Sequence, residues 1–98
     1  MPMALNRVPK FAPRAPRKAV RAASSVFLPD HNEISVLVLN LSRDGFMAVL
    51  DTPITPGTRV GVSIPGIGII RGEVRWADAN EIGGHFDQPL PEQVIERL

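Results

Sequence analysis

The chain has 98 residues, enough for one domain near the lower limit at which a single core holds without staples, and it contains no cysteine, which excludes disulfides, thiolate metal sites and cysteine nucleophiles and fits a reducing compartment. Its formal charge of +1 hides a strong asymmetry: Arg7, Lys10, Arg14, Arg17, Lys18 and Arg21 all precede the first acid, Asp30, and every carboxylate lies from there on. A cationic arm joined to a mildly acidic body points to an anionic partner, whether nucleic acid, nucleotide or lipid headgroup.

Residues 1–16 carry Pro2, Pro9, Pro13 and Pro16. Proline lacks a backbone donor and biases its predecessor towards extended geometry, so this segment is expected to be a flexible basic arm, with the folded domain over 17–98. From Val20 the apolar period becomes two: Val20, Ala22, Ser24, Val26 and Leu28 alternate with Arg21, Ala23, Ser25 and Phe27, ahead of the turn residues Pro29-Asp30-His31-Asn32. A second strand, Ile34 to Leu39, is apolar on both faces, the pattern of a strand covered on both sides. Ser42-Arg43-Asp44-Gly45 then holds an Asp-Gly pair suited to a tight turn, and Phe46 to Leu50 reads as the third strand. After the turn at Thr52 to Gly57, Arg59 to Ile64 forms the fourth, with Val60, Val62 and Ile64 on one face.

Pro65-Gly66 turns the chain into the clearest alternation of all. Ile70, Gly72, Val74 and Trp76 share one face, expected to be interior, and Arg71, Glu73 and Arg75 share the other. Asp78-Ala79-Asn80 is the next turn, and Glu81 to Phe86 the sixth strand, where Gly83 and Gly84 permit a bulge or a close approach by another part of the chain. Pro91 suits the first position of a short helix reaching Leu98, with Val94, Ile95 and Leu98 on one side. The expected fold class is all-β, a six-stranded antiparallel barrel closed by a C-terminal helix, since closure removes exposed strand edges.

Little in this chain supports catalysis. Ser24, Ser25, Ser35, Ser42 and Ser63 lack any local signature of an activated nucleophile, and Pro65-Gly66-Ile67-Gly68-Ile69 lacks the lysine and helix start of a phosphate loop. His31 and His85 are far apart, too few for a structural zinc site, so neither a metal nor a cofactor is expected. No stretch approaches the roughly 20 apolar residues that span a bilayer, nor the run of about 7 to 15 in a secretory signal, so a cytoplasmic location without membrane insertion is expected.

Two polar constellations remain. Arg17-Lys18-Ala19-Val20-Arg21 places two arginines four apart at the root of the first strand, and their planar forks suit phosphate oxygens and the O6 and N7 edge of guanine. Asn40-Leu41-Ser42-Arg43-Asp44-Gly45 closes the second strand, with Asn40 and Ser42 able to project from one face and Gly45 letting the backbone turn sharply. Together these segments resemble the two-part signature of the PilZ family: RxxxR leading into a first strand, then (D/N)xSxxG after the second. Gly72-Glu73-Val74-Arg75-Trp76 and Ile82-Gly83-Gly84-His85-Phe86 also look like late strands of bacterial PilZ domains, so the resemblance runs from about Arg14 to Leu98.

The resemblance implies a PilZ-type barrel that binds the second messenger cyclic diguanylate (cyclic di-GMP) and is not an enzyme. It implies that Arg17 and Arg21 hold guanine and phosphate, that Asn40 and Ser42 contact guanine and ligand backbone, and that Gly45 is conformational. Arg14, four residues before Lys18, is a further candidate for a stacking contact with a ligand dimer. An arm loose when empty and ordered around the dianion would present a new surface to a downstream protein. Two alternatives stand beside this reading. One is a PilZ-like adaptor that binds proteins and no ligand. The other is a small nucleic-acid-binding barrel, disfavoured by the scarcity of aromatic residues for base stacking.

Overall fold

The computed structural model of the chain describes residues 18–97. The arm over 1–16, with Arg14, and likewise Arg17 and Leu98, lie outside the described residues. Six strands, β1 (Lys18–Phe27), β2 (Glu33–Leu41), β3 (Gly45–Val49), β4 (Arg59–Ile64), β5 (Gly68–Asp78) and β6 (Glu81–Phe86), are followed by one short helix, α1 (Glu92–Glu96). All neighbouring strands are antiparallel, and they close into a barrel in the order β1-β2-β3-β6-β5-β4. The fold class anticipated from the alternation is therefore the observed one.

Alternation dictates which side chains fill the barrel. Val26, Val36, Val38, Ala48, Val62, Val74 and Ile82 point inward and are buried. Phe46 and Phe86 meet within the same core, their ring centroids 5.6 Å apart and tilted by 31°, an arrangement aromatic pairs favour over stacking face to face. Leu90 and Ile95 continue the cluster from the C-terminal segment. That segment makes a helix of only five residues, Glu92–Glu96, with Pro91 extended as its N-cap (φ −60°, ψ 142°), and not the first helical residue as the sequence suggested. Ile95 is its only buried side chain, and a helix this short depends on such packing to form.

Three strands carry an extra residue relative to a neighbour. On β1 the register shifts between Ala19 and Ala22, on β2 between Val38 and Asn40, and on β5 between Val74 and Trp76. On β2 and β5 the bulge reverses the faces of the residues beyond it, because side chains alternate with a period of two, whereas β1 keeps Val20 and Val26 on the same inner side. This corrects the expectation for Trp76. Val74 lies opposite Gly84 and Trp76 opposite Gly83, so Arg75 is the extra residue and Trp76 leaves the interior face that Val74 occupies. The indole is half-buried on the outer surface, whereas Val74 is fully buried.

The two consecutive glycines of β6 make room on opposite sides. A Cβ on Gly84 would collide with the Phe46 ring inside the barrel and would lie 2.7 Å from the Glu73 carbonyl oxygen; one on Gly83 would collide with the Trp76 indole outside. Gly45 is needed for a related reason. Its φ is not in the left-handed region, so the expected sharp turn is not what requires glycine there. A side chain at Gly45 would run into the carbonyl of Gly84 on β6.

At the rim, Arg59 at the start of β4 donates to the carboxylate of Asp87, just beyond β6. The guanidinium holds the Asp87 carboxyl below its ordinary value of 3.8, chiefly through that hydrogen bond.

Three measurements check these contacts. Gly84→Ala should lower stability by about 1 to 3 kcal/mol, the usual cost of overpacking a core, read as a lower urea midpoint at unchanged slope. Gly83→Ala should instead displace the outer indole and red-shift Trp76 emission in the folded protein. For Asp87, a depressed folded-state pKa means that its contribution is complete above the unfolded value and fades as pH falls through the folded one. The stability difference between the native chain and Asp87→Asn should accordingly be constant near neutrality and shrink in acid below about pH 4.

Candidate functional site

Residues that pair across antiparallel strands share a face, so the register itself assembles a surface. Ala19 of β1 lies opposite Asn40 of β2, Asn40 opposite Met47 of β3, Met47 opposite Gly83 of β6, and Gly83 opposite Trp76 of β5. Met47 stands between the inward-facing Phe46 and Ala48, which places the whole row on the outside. Adjacent strands are about 4.8 Å apart, and the indole lies back over Gly83, so Trp76 and Met47 form a nearly continuous apolar floor beside the Asn40 amide. The three bulges sit along this row. They fall between Ala19 and Ala22, immediately before Asn40, and immediately before Trp76.

Asn40 is the residue whose environment is least complete. Its side-chain Oδ1 is buried, yet it has no hydrogen-bond partner among the described residues. On the neighbouring strand Arg21 is exposed and forms no ion pair among the described residues. The RxxxR segment is thus described only from Lys18 onward; Arg21 flanks Asn40, while the positions of Arg17 and Arg14 fall outside.

Ser42 has a defined local task. Its hydroxyl oxygen accepts from the amides of Asp44 (3.2 Å) and Gly45 (3.1 Å), which shapes the β2–β3 connection, and the residue is 8% exposed. The hydroxyl proton finds only the Gly45 carbonyl at 3.5 Å, the outer limit of a hydrogen bond. The Gly45 carbonyl also receives the Ser42 amide at 2.9 Å. The turn is therefore built by a serine side chain of the kind that competes with regular secondary structure, and it fixes where β2 ends and Asn40 sits.

Two basic residues inside the motif segments, neither part of the signature, reach the C-terminal segment. Lys18 Nζ donates to the carbonyl of Glu96 (3.0 Å), and Arg43 Nε donates to the carbonyl of Leu90 (2.9 Å), whose own amide donates back to the Arg43 carbonyl (2.8 Å). Both halves of the candidate site are in this way tied to the same stretch, Leu90 to Glu96. Sequence reasoning missed Met47 and Trp76 as members of the candidate site, because unbroken alternation put Trp76 inside; the glycine pair Gly83-Gly84 on the next strand was the one signal of an irregularity.

No group of three or more His, Asp or Glu side chains able to hold a metal occurs among the described residues. His85 lies exposed on β6, and His31 is in the β1–β2 turn with φ of 72°.

The family model described as PilZ domain covers residues 13–98, nearly the whole chain, and no curated protein matches. With that match and the closed six-stranded barrel, the chain belongs to the PilZ domain family.

Proposed function

We propose that the protein is a receptor for cyclic diguanylate and not a catalyst, with the nucleotide held between the arginine-bearing arm and the outer row Arg21, Asn40, Met47 and Trp76. The observation that carries this reading is the buried Asn40 Oδ1 without a donor among the described residues. A buried acceptor left unpaired costs about 1 to 3 kcal/mol, and folded proteins retain such a group chiefly where something else supplies the partner. Guanine has donors on its base-pairing edge and acceptors at O6 and N7. The first suit Asn40 Oδ1, and the second suit the fork of Arg21.

The rest of the row complements the other parts of such a ligand. Trp76 and Met47 offer the polarisable apolar surface on which a purine stacks. Arg17 and Arg14, arriving from the arm, match the two phosphate charges, and charge-assisted contacts of this kind are about twice as strong as neutral ones. Ser42 secures the turn behind Asn40, and its proton is available to a ligand oxygen. Gly45 allows β3 and β6 to close beneath. No cofactor takes part in this reading. An arm that orders around the dianion would create the surface that a downstream protein reads, and the proposed setting is the cytoplasm.

Calorimetric titration with cyclic diguanylate tests the proposal. Saturable binding is expected, weakening with salt because part of the attraction is between exposed arginines and phosphates. Arg21→Ala should reduce affinity ten- to hundredfold, since one bidentate charged contact is worth about 1.5 to 3 kcal/mol. Trp76 is the only tryptophan, and the chain has no tyrosine, so its emission should change on saturation. A folded protein that gives no heat would establish the ligand-free adaptor instead. Full affinity in a folded Arg21→Ala variant would move the site away from this face.

A further inference from the structure

The large apolar side chains most exposed to solvent among the described residues are Ile69 (59%) and Ile67 (36%), both at the β4–β5 hairpin. Neither side chain shapes the turn. Gly66 (φ 81°) and Gly68 (φ 119°) take up the left-handed conformations, and the Ile67 amide donates to the Ile64 carbonyl at 3.0 Å. Phe27 is a second apolar residue without a place in the core. Alternation sends Val26 inside the barrel and Phe27 outside, where it is half-buried and belongs neither to the core nor to the side chains packed against it. Ile69 reaches over Gly61 towards it: a Cβ added at Gly61 would lie 2.8 Å from the Ile69 Cγ2 and 3.9 Å from the Phe27 Cβ. The two side chains thus make one outer apolar patch across β1, β4 and β5.

The strand register defines what surrounds this patch. Phe27 lies opposite Glu33 of β2 on one side and Gly61 of β4 on the other, and Gly61 lies opposite Arg71 of β5. Glu33, Phe27, Gly61 and Arg71 therefore form one outer row. Beside it runs a second row, Ser35, Ser25, Ser63 and Ile69, with Ser25 opposite Ser35 and Ser63 opposite Ile69. Glu33 and Arg71 are exposed, the Glu33 carboxylate accepts the Ser25 hydroxyl, and Arg71 forms no ion pair among the described residues. With strands about 4.8 Å apart, acid and base stand equally far, about 7 Å, to either side of the line midway between β1 and β4.

We propose that this face joins two copies of the chain about a two-fold axis running parallel to β1 and β4. Such a rotation exchanges left and right across the face. Glu33 of each copy then meets the partner's Arg71, Phe27 lies over the partner's Gly61, and Ile69 lies over the partner's Ser35, whose small side chain leaves it space. A two-fold interface requires a surface complementary to itself, and an acid and a base equally spaced about an apolar centre satisfy that condition. An anionic bilayer fits less well, since the row carries one acid for its one base. Because a barrel is convex, the two middle strands make the direct contact and the long Glu33 and Arg71 side chains bridge the flanks, where exposed ion pairs contribute orientation more than affinity. Four strands span only about 19 Å, so the patch falls below the roughly 800 Å² per partner of a standard interface and the dimer is a weak, exchanging one. The face occupies the opposite ends of β1 and β5 from the Asn40 row, and the association does not depend on nucleotide binding.

Sedimentation equilibrium of the full chain, without nucleotide, provides the test. A monomer–dimer equilibrium is expected, with a dissociation constant between about 10 μM and about 1 mM. Ile69→Ser, checked by circular dichroism, should weaken it about tenfold, since the side chain is exposed and its loss removes contact with the partner and not core packing. Arg71→Glu and Glu33→Arg should each weaken self-association, because like charges then face each other across the axis. An equimolar mixture of these two variants should instead form a heterodimer at close to native strength, both facing pairs being opposite in charge again. A chain that stays monomeric up to about 1 mM would overturn the proposal. So would a dimer that the folded Ile69→Ser variant leaves unchanged, which would place the association on another face, or a failure of the two charge variants to complement each other on mixing.

Discussion

The outer face of this barrel depends on one departure from regular pairing: β5 advances two residues, Arg75 and Trp76, while β6 advances one, from Gly84 to Gly83. Without that step Trp76 would follow Val74 into an interior already occupied by Phe46, Phe86 and Ile82, all buried. A small barrel has no space for a further indole, and overpacking is as costly as a cavity. The glycine pair makes the arrangement possible on both sides of the sheet, yielding to a phenyl ring inside and an indole outside. The bulge on β2 acts in the same sense: it turns Asn40 away from the side of Val38 and sets it opposite the outward Met47.

Most of the architecture was legible in the sequence because local rules and global closure agree. Turn residues marked the strand limits, period-two runs marked the faces, and Gly83-Gly84 announced an irregularity. Its location was not legible, since a bulge on β5 leaves no trace in the flawless alternation from Ile70 to Trp76 and is decided by what β6 can accommodate. Gly45 was recognised as conformational for a different reason from the one that holds: a backbone on another strand, far away in sequence, excludes its side chain. Ser42 could be read as a polar group near Asn40, but not which atoms it would satisfy, and its oxygen bonds the amides of its own turn. The extra length assigned to the helix had a similar origin, because an apolar spacing continues through Leu98 whereas only Ile95 finds a buried seat within Glu92–Glu96.

The two signature segments are connected through the end of the chain as well as through the β1–β2 ladder. Lys18 and Arg43 bond to main-chain carbonyls, of Glu96 and Leu90. Backbone acceptors are present whatever side chain a position carries, so these ties rest on the path of the C-terminal segment more than on its residues. The apolar contribution comes from Leu90 and Ile95, which join the core beneath. The helix is thereby held by a few directional contacts at its ends and one buried side chain between them.

The closure of the barrel is uneven. β1 pairs with β2 from Lys18 to Phe27, but with β4 only at Val26–Val62 and Phe27–Gly61, helped by the Ser24 hydroxyl bonding to the Ser63 carbonyl. In mechanical terms the β1–β4 line is a seam, and a closed sheet parts first along its shortest ladder, where the fewest bonds resist local opening. When this seam parts, β1 leaves β4 but stays zipped to β2. Arg21 and Asn40 then travel together, and the outer row through Met47, Gly83 and Trp76 remains on one unbroken ribbon. The barrel can therefore breathe as a cylinder without taking this outer row apart.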